Sequence, residues 1–273
     1  MLILFLIAIF LSCCDICNAF RSISNFRGTD YSFSKLRSTD PDRDYVQTLK
    51  SNLLRIAAIS NRGENASNKQ RESALDLITQ LESMNPTPSD NDDRAEYSVQ
   101  GSWDLVFTDA QLFESSPFFM TVRELFDDTE KAERTLKLHR AATNTGEIGL
   151  VQQEITSTQL TSRIIVRNGL IPGLPFSLLG EIVSTADLSI IDSYTMKLRM
   201  RETSVKNSNI PFGIGSLISY ASVPVGSIVK SSTGDLPECS LSTFYLDGDF
   251  RITRNKDDRV FVYLRNVSNS IEQ

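Results

Sequence analysis

The chain of 273 residues carries one histidine, one tryptophan and four cysteines, and each scarcity excludes a class of chemistry. A lone histidine, His139, rules out a multi-histidine metal site and leaves little from which to build a nucleophile–base pair. It follows TLKL with Arg140 beside it, and alternation turns it to the solvated face of a strand. Neither G-x-S-x-G nor H-E-x-x-H occurs, and FGIGS (212–216) lacks the lysine that completes a phosphate loop. The two acids of DGDF (247–250) fail the EF-hand spacing, because no glutamate closes a twelve-residue loop. No catalytic residue, metal-ligand set or cofactor motif emerges, so a non-enzymatic protein is expected. Cys13, Cys14 and Cys17 lie near the start, and Cys239 is left to stand as an isolated, half-buried thiol. If the first three leave with a cleaved leader, Cys239 has no partner for a disulfide, which suits a reducing organelle better than a small secreted module.

Basic residues are also in deficit, 28 Lys and Arg against 34 Asp and Glu. The first 38 residues hold four basic and two acidic residues, so residues 39–273 keep 24 against 32, a net charge of −8. Such a surface is a poor partner for nucleic acid, whose phosphates need clustered cations. Leu2–Leu11 is an unbroken apolar run, too short to span a bilayer as a helix, which needs about 20 residues. With the small-residue stretch after it, residues 1–19 read as a signal peptide cut between Ala19 and Phe20. Residues 20–40 form a transit-peptide-like segment: from 20 to 38 there are five Ser, three Arg and one Lys but a single acid, Asp30. This arrangement, with Phe first after the cut, resembles the two-part leader of algae with secondary red plastids. An ordinary secreted protein with a flexible N-terminus is the alternative. Sequons at Asn65 and Asn266 would be open to glycosylation on that route.

Beyond the leader, residues 41–88 read as a helical hairpin. Val46, Leu49, Leu53 and Ile56 recur at helical spacing after Asp40-Pro41, which supplies a cap and a proline at the first helical position. Ser67 and Gln70 are spaced as a capping box for a second helix, whose stripe is Leu75, Ile78 and Leu81 and which ends before Pro86 and Pro88. Residues 97–267 are strand-like: period-two runs occur at 99–108, 135–140, 147–155, 161–167, 185–191, 194–201, 250–254 and 260–265. Eight or more short antiparallel strands with one polar face predict a closed barrel or a sandwich. Two apolar stretches interrupted by Pro and Gly, 169–183 and 210–229, break the alternation and are expected as loops. They are either tucked against the core or exposed as a rim that admits lipid or touches a membrane.

GSWDLVFTDA (101–110) contains the single tryptophan two residues after a glycine, with Trp103, Leu105 and Phe107 on alternate positions. A G-x-W opening the first strand resembles the lipocalin arrangement, in which the Trp closes one barrel end beneath an Arg of a late strand. The matching residues are Gly101, Trp103 and Arg251, with Arg265 as the second candidate. Four blocks in order, LLRIAAISNRGENAS, LDLITQLESMNPTP, GSWDLVFTDAQLFESSPFF and FYLDGDFRITRNKDDRVFVYLR, resemble the plastid lipid-associated proteins, the fibrillins of plastoglobules. The resemblance implies a mainly β fold, a lipocalin-like antiparallel β-barrel preceded by an N-terminal α-helical hairpin. It further implies a plastid location at plastoglobules or thylakoids, a hydrophobic ligand (prenylquinone, carotenoid or acyl lipid) and a partner enzyme of prenylquinone synthesis.

Candidate ligand contacts are Phe107, Phe113, Phe119, Phe176, Leu179, Phe212 and Leu217. The competing expectations are a structural coat protein of lipid droplets and, from another class, a lipid-modifying enzyme. For the leader, a fluorescent fusion of residues 1–40 should enter the plastid, and Phe20→Ala should hold it outside the innermost compartment. Secretion of the unaltered fusion into the medium would refute the assignment.

Overall fold

The computed structural model describes residues 41–86, 98–124, 146–169, 177–192, 194–207, 222–223 and 238–266. Two helices lead, α1 (Pro41–Ile59) and α2 (Asn68–Ser83). Strand β1 (Gly101–Thr108) comes next, then a 3-10 turn (Leu112–Ser115) and the short helix α3 (Pro117–Glu124). The sheet continues with β2 (Gly146–Ile155), β3 (Gln159–Gly169), β4 (Ser177–Ile190) and β5 (Thr195–Lys206). It ends with the two-residue β6 (Ser222–Val223), then β7 (Glu238–Leu246), β8 (Phe250–Asn255) and β9 (Val260–Arg265). Every pairing is antiparallel, and β4 also pairs with β5, so eight strands close on themselves while β6 attaches outside the ring. The fold is a closed eight-stranded barrel behind a helical hairpin.

Alternation of strand direction assigns the connections to two ends. The β2–β3, β4–β5 and β7–β8 turns share the end where β1 begins and β9 finishes, and they are short. The β1–β2, β3–β4, β5–β7 and β8–β9 connections leave at the opposite end.

Two apolar layers divide the buried side chains. Inside the barrel lie Trp103, Leu105, Val151, Ile155, Leu160, Ile164, Leu198, Leu241, Phe261 and Tyr263. Outside it, Phe107, Tyr245, Phe250, Ile252, Val260 and Val262 pack against Leu49, Leu53, Ile78 and Leu81 of the hairpin. Strands β1, β8 and β9 are therefore buried on both faces. Strands β1 and β9 carry apolar residues each way, while β8 turns Phe250 and Ile252 to the hairpin and Arg251 and Thr253 inward.

Strict alternation from Trp103 would put Phe107 inside the barrel, and the structure corrects this. A bulge between Leu105 and Phe107 inserts one residue against β9, pairing Leu105 with Tyr263 but Phe107 with Val262. The extra residue reverses the facing of everything after it, so Phe107 belongs to the hairpin interface. A second bulge, between Thr243 and Tyr245 on β7, turns Tyr245 outward in the same way.

Other expectations are also revised. The stretch 169–183 is not one loop: Gly169 ends β3, and Ser177 onward, including Leu179, belongs to β4. Strand β7 is absent from the period-two runs, because CSLSTFYL mixes small polar residues with its apolar ones and its bulge breaks the period. Cys239 lies within it, fully rather than half buried. Residues 135–140, with His139, lie outside the described residues.

The hairpin obeys its sequence signals. Ser67 and Gln70 form the reciprocal capping box, each side chain bonded to the other's backbone N–H. Lys50 of α1 is buried and pairs with Asp247 (2.5 Å) and Asp249 (2.8 Å), the acids of DGDF, tying the helix to the β7–β8 turn. Burial opposes ionisation of Asp247, but the Lys50 ammonium, the Tyr245 hydroxyl and Asp249 outweigh it and hold the carboxyl below its ordinary value. Arg254 of β8 binds Glu82 of α2, and Arg62 donates to the carbonyls of Ile148 and Gly149.

Gly63, in the turn between the helices, has φ +96, and a Cβ there would lie 2.1 Å from the Thr108 carbonyl oxygen. The neighbouring bond from Thr108 N–H to the Arg62 carbonyl, 3.0 Å, explains this approach. Gly63→Ala should therefore lower stability by ~2 kcal/mol or more in urea unfolding, from backbone strain and a clash with backbone. Gly149→Ala, whose Cβ would meet only an ordinary 3.4 Å contact with Ile165, serves as the control.

Candidate functional site

Trp103 is fully buried at the end of the barrel where β1 begins, its indole N–H donating to the Val99 carbonyl at 2.8 Å. Two guanidinium groups bear on its ring: Arg265 at 4.2 Å from the centroid and Arg251 at 5.0 Å. Both candidate arginines therefore stack on Trp103, with Arg265 the nearer. Arg265 also donates to the carbonyls of Gly248 (2.6 Å), Gln100 (2.9 Å) and Ser98 (2.8 Å), joining the chain before β1 to the β7–β8 turn. Gly101 must be glycine for two reasons: its φ is +126, and a Cβ would come 2.8 Å from Arg265 Nη1. The glycine of G-x-W thus meets a backbone requirement, and Arg265 crosses it to reach the Trp103 ring.

Arg251 points into the barrel and is completely buried. Its guanidinium lies 4.3 Å from the Tyr263 ring centroid, and Nη2 donates to Gln153 Oε1 at 2.6 Å. Gln153 Nε2 donates in turn to the Tyr263 hydroxyl (2.8 Å) and to the Ser115 carbonyl (3.0 Å). Burial lowers the Arg251 pKa to about 10, Tyr263 opposing the shift and the Arg265 cation adding to it, so Arg251 remains charged at neutral pH. Burial likewise pushes the Tyr263 hydroxyl well above its ordinary value, so it remains protonated. Gln153 sits between Val151 and Ile155 on the inward face, a polar residue in an apolar row. That interruption is the one mark this network leaves in the sequence, and periodicity alone does not single it out.

The Ser115 carbonyl belongs to a segment that leaves β1 and turns back into the barrel. Leu112, Phe113, Phe119 and Met120 of this segment join the interior layer, with the Phe113 and Phe119 rings 4.7 Å apart. Two of the sequence-derived ligand residues, Phe113 and Phe119, are thereby brought together inside the barrel. Phe107 faces the hairpin, on the other side of the wall. Leu179 lies in β4 opposite Arg167, near the end of the barrel away from Trp103. Phe176, Phe212 and Leu217 lie outside the described residues. Among the described residues no group of three His, Cys, Asp or Glu could hold a metal ion, and no helix is long and apolar enough to cross a membrane.

Comparison with known proteins matches residues 47–264 to the PAP_fibrillin model, which covers the hairpin and the barrel together. The chain belongs to the PAP_fibrillin family. It is 26% identical over 247 residues to plastid lipid-associated protein 2, chloroplastic, of Brassica campestris, across 82% of this chain and 70% of that protein. It is also 26% identical over 234 residues to light-induced protein, chloroplastic, of Solanum demissum, across 82% and 68% of the two chains. In this fibrillin the hairpin is part of the matched unit, which agrees with its sharing an apolar layer with β1, β8 and β9.

The Trp103 stack generates a stability prediction. Trp103→Ala should cost ~3–5 kcal/mol, as large aromatic truncations in a core do. A double-mutant cycle with Arg265→Ala should give an interaction energy of ~0.5–3 kcal/mol. Native emission from the single tryptophan should be that of a buried indole, and a solvent-exposed spectrum would contradict the stack.

Proposed function

We propose that this fibrillin is a non-enzymatic plastid protein that binds or carries one hydrophobic metabolite inside its barrel, at plastoglobule or thylakoid surfaces. The observation that carries the proposal is the closed eight-stranded wall, sealed at the Trp103 end and lined elsewhere by apolar side chains. A barrel of this strand number is either filled by side chains or holds one small ligand, and the ligand would take the space of the inserted Leu112, Phe113, Phe119 and Met120. Burying roughly ten methylenes of an acyl or prenyl chain contributes about 8 kcal/mol before association costs, the scale of micromolar binding. The family match and the names of its chloroplastic relatives support the lipid association and the plastid location.

Lipid enters, in this proposal, at the end opposite Trp103, where the connections after β3 and β5 leave the barrel. The apolar residues Phe176, Phe212 and Leu217 of those connections, with Leu179 at the start of β4, form the rim. A partner enzyme of prenylquinone synthesis is a natural recipient of such a cargo. Mass spectrometry of lipids co-purifying with the native protein tests the proposal. The expected result is a narrow set of lipids at about one per chain. A coat protein would instead carry a broad sample of surface lipid without one-to-one saturation, and turnover of a labelled acyl or prenyl substrate would revive an enzymatic role.

A further inference from the structure

Several buried polar atoms inside the barrel lack hydrogen-bond partners among the described residues. Arg251 is completely buried, and its Nε and Nη1 have no partner, nor do the buried hydroxyls of Ser116, Ser162 and Thr243. Tyr263 accepts from Gln153, and no acceptor among the described residues takes the hydrogen of its own hydroxyl. Gln153 Oε1 and the Ser115 carbonyl are taken up by Arg251 and Gln153 respectively. These residues adjoin one another: Ser162 is paired directly across from Gln153, and Thr243 across from Thr253, two positions along β8 from Arg251. No carboxylate among the described residues balances the Arg251 charge, and the ionic neighbour that bears on it is another cation, Arg265. A guanidinium left in this condition is costly, because a buried cation needs both a counter-charge and hydrogen-bond acceptors.

We propose that the barrel floor is a carboxylate site, at which Arg251 binds the head of a long-chain amphiphilic acid. The inference rests on the lipid-binding reading above and deepens it by naming the ligand class. Guanidinium geometry makes a carboxylate the fitting group. Each of the two hydrogens on Nη2 belongs to a different two-donor edge, one shared with Nε and one with Nη1. Whichever hydrogen Gln153 takes, one whole edge remains, and two parallel N–H groups match the two oxygens of a carboxylate. The Tyr263 hydroxyl supplies a further donor, kept protonated by burial. A neutral ester or quinone presents no pair of equivalent anionic oxygens to that edge and leaves the charge unbalanced.

The acyl chain then runs from the floor toward the far end of the barrel, along Val151, Ile164 and Leu198. It takes the space that Leu112, Phe113, Phe119 and Met120 occupy in this structure. The inserted segment already supplies the floor with one carbonyl, that of Ser115. It therefore resembles the ligand it gives way to: a polar oxygen at the floor and an apolar body behind it.

The test titrates delipidated full-length protein with oleic acid and, separately, with methyl oleate, monitoring emission from Trp103, whose ring Arg251 stacks against. The acid should bind about tenfold more tightly than the ester, or better, the scale of hydrogen bonds to a charged group. In Arg251→Met the acid-to-ester ratio should fall to about one. Equal binding of acid and ester by the unaltered protein would overturn the carboxylate site while leaving lipid binding intact. Binding of neither, with prenylquinone and carotenoid also failing, would sink the lipid reading itself. Should Arg251→Met not fold, the carboxyl-¹³C resonance of bound oleic acid in unaltered protein decides the matter. The carboxyl should remain ionised well below the pH at which it protonates in a detergent micelle, and a micelle-like titration would overturn the proposal.

Discussion

Two guanidinium groups converge on one indole at the closed end of the barrel, and the placement of the surrounding chain depends on that convergence. Arg265, close over Trp103, holds the backbone ahead of β1 and the β7–β8 turn through its three donations to carbonyls. The φ of +126 at Gly101 calls for glycine there, and the Arg265 guanidinium lies against it. Arg251 approaches the same ring from β8 and reaches Gln153 of β2, so the first and last parts of the ring of strands are linked through charged and polar atoms. Cation–π contacts of this kind are individually modest, near 1 kcal/mol, and gain where water is excluded. Here Trp103 and Arg251 are completely buried, and the partly exposed Arg265 surrounds the ring with its own hydrogen bonds.

The barrel wall serves two interiors at once. Bulges on β1 and β7 each turn one aromatic residue, Phe107 and Tyr245, out of the barrel and under the helices. Removing two large rings from the inside leaves volume that the segment after β1 fills with Leu112, Phe113, Phe119 and Met120. The same two rings give the hairpin a floor to pack on. Lys50, inserted among aromatic rings and paired with Asp247 and Asp249, fixes the helices in that position.

Much of this was legible in the sequence because it is local. The helical stripes, the capping box at Ser67 and Gln70, and the alternating runs of β2, β3 and β9 depend on residues a few positions apart. The G-x-W resemblance carried the closed end further than periodicity could, and it named both arginines. Features that escaped depend on register or on distant partners. A bulge adds one residue without a compositional mark, so Phe107 reads as a companion of Trp103 and Leu105. Gln153 and Tyr263 look ordinary until Arg251, 98 residues from Gln153, is placed beside them. The acids of DGDF fail the spacing of a calcium loop, and nothing local shows that the cation they meet is the Lys50 ammonium.

The two-faced character of β1, β8 and β9 bears on how such a chain reaches its native state. Val260–Arg265 and Phe250–Asn255 come near the end of the sequence, and their outer faces are covered by helices that come near its beginning. A chain delivered N-terminus first presents α1 and α2 before the strands whose outer surfaces they shield. The last hairpin to emerge, rich in β-branched and aromatic residues, then meets a cover already in place, which shortens its exposure as an aggregation-prone edge. Were the order of the two elements reversed in the gene, the same native contacts would form, but β8 and β9 would wait uncovered for the helices to arrive.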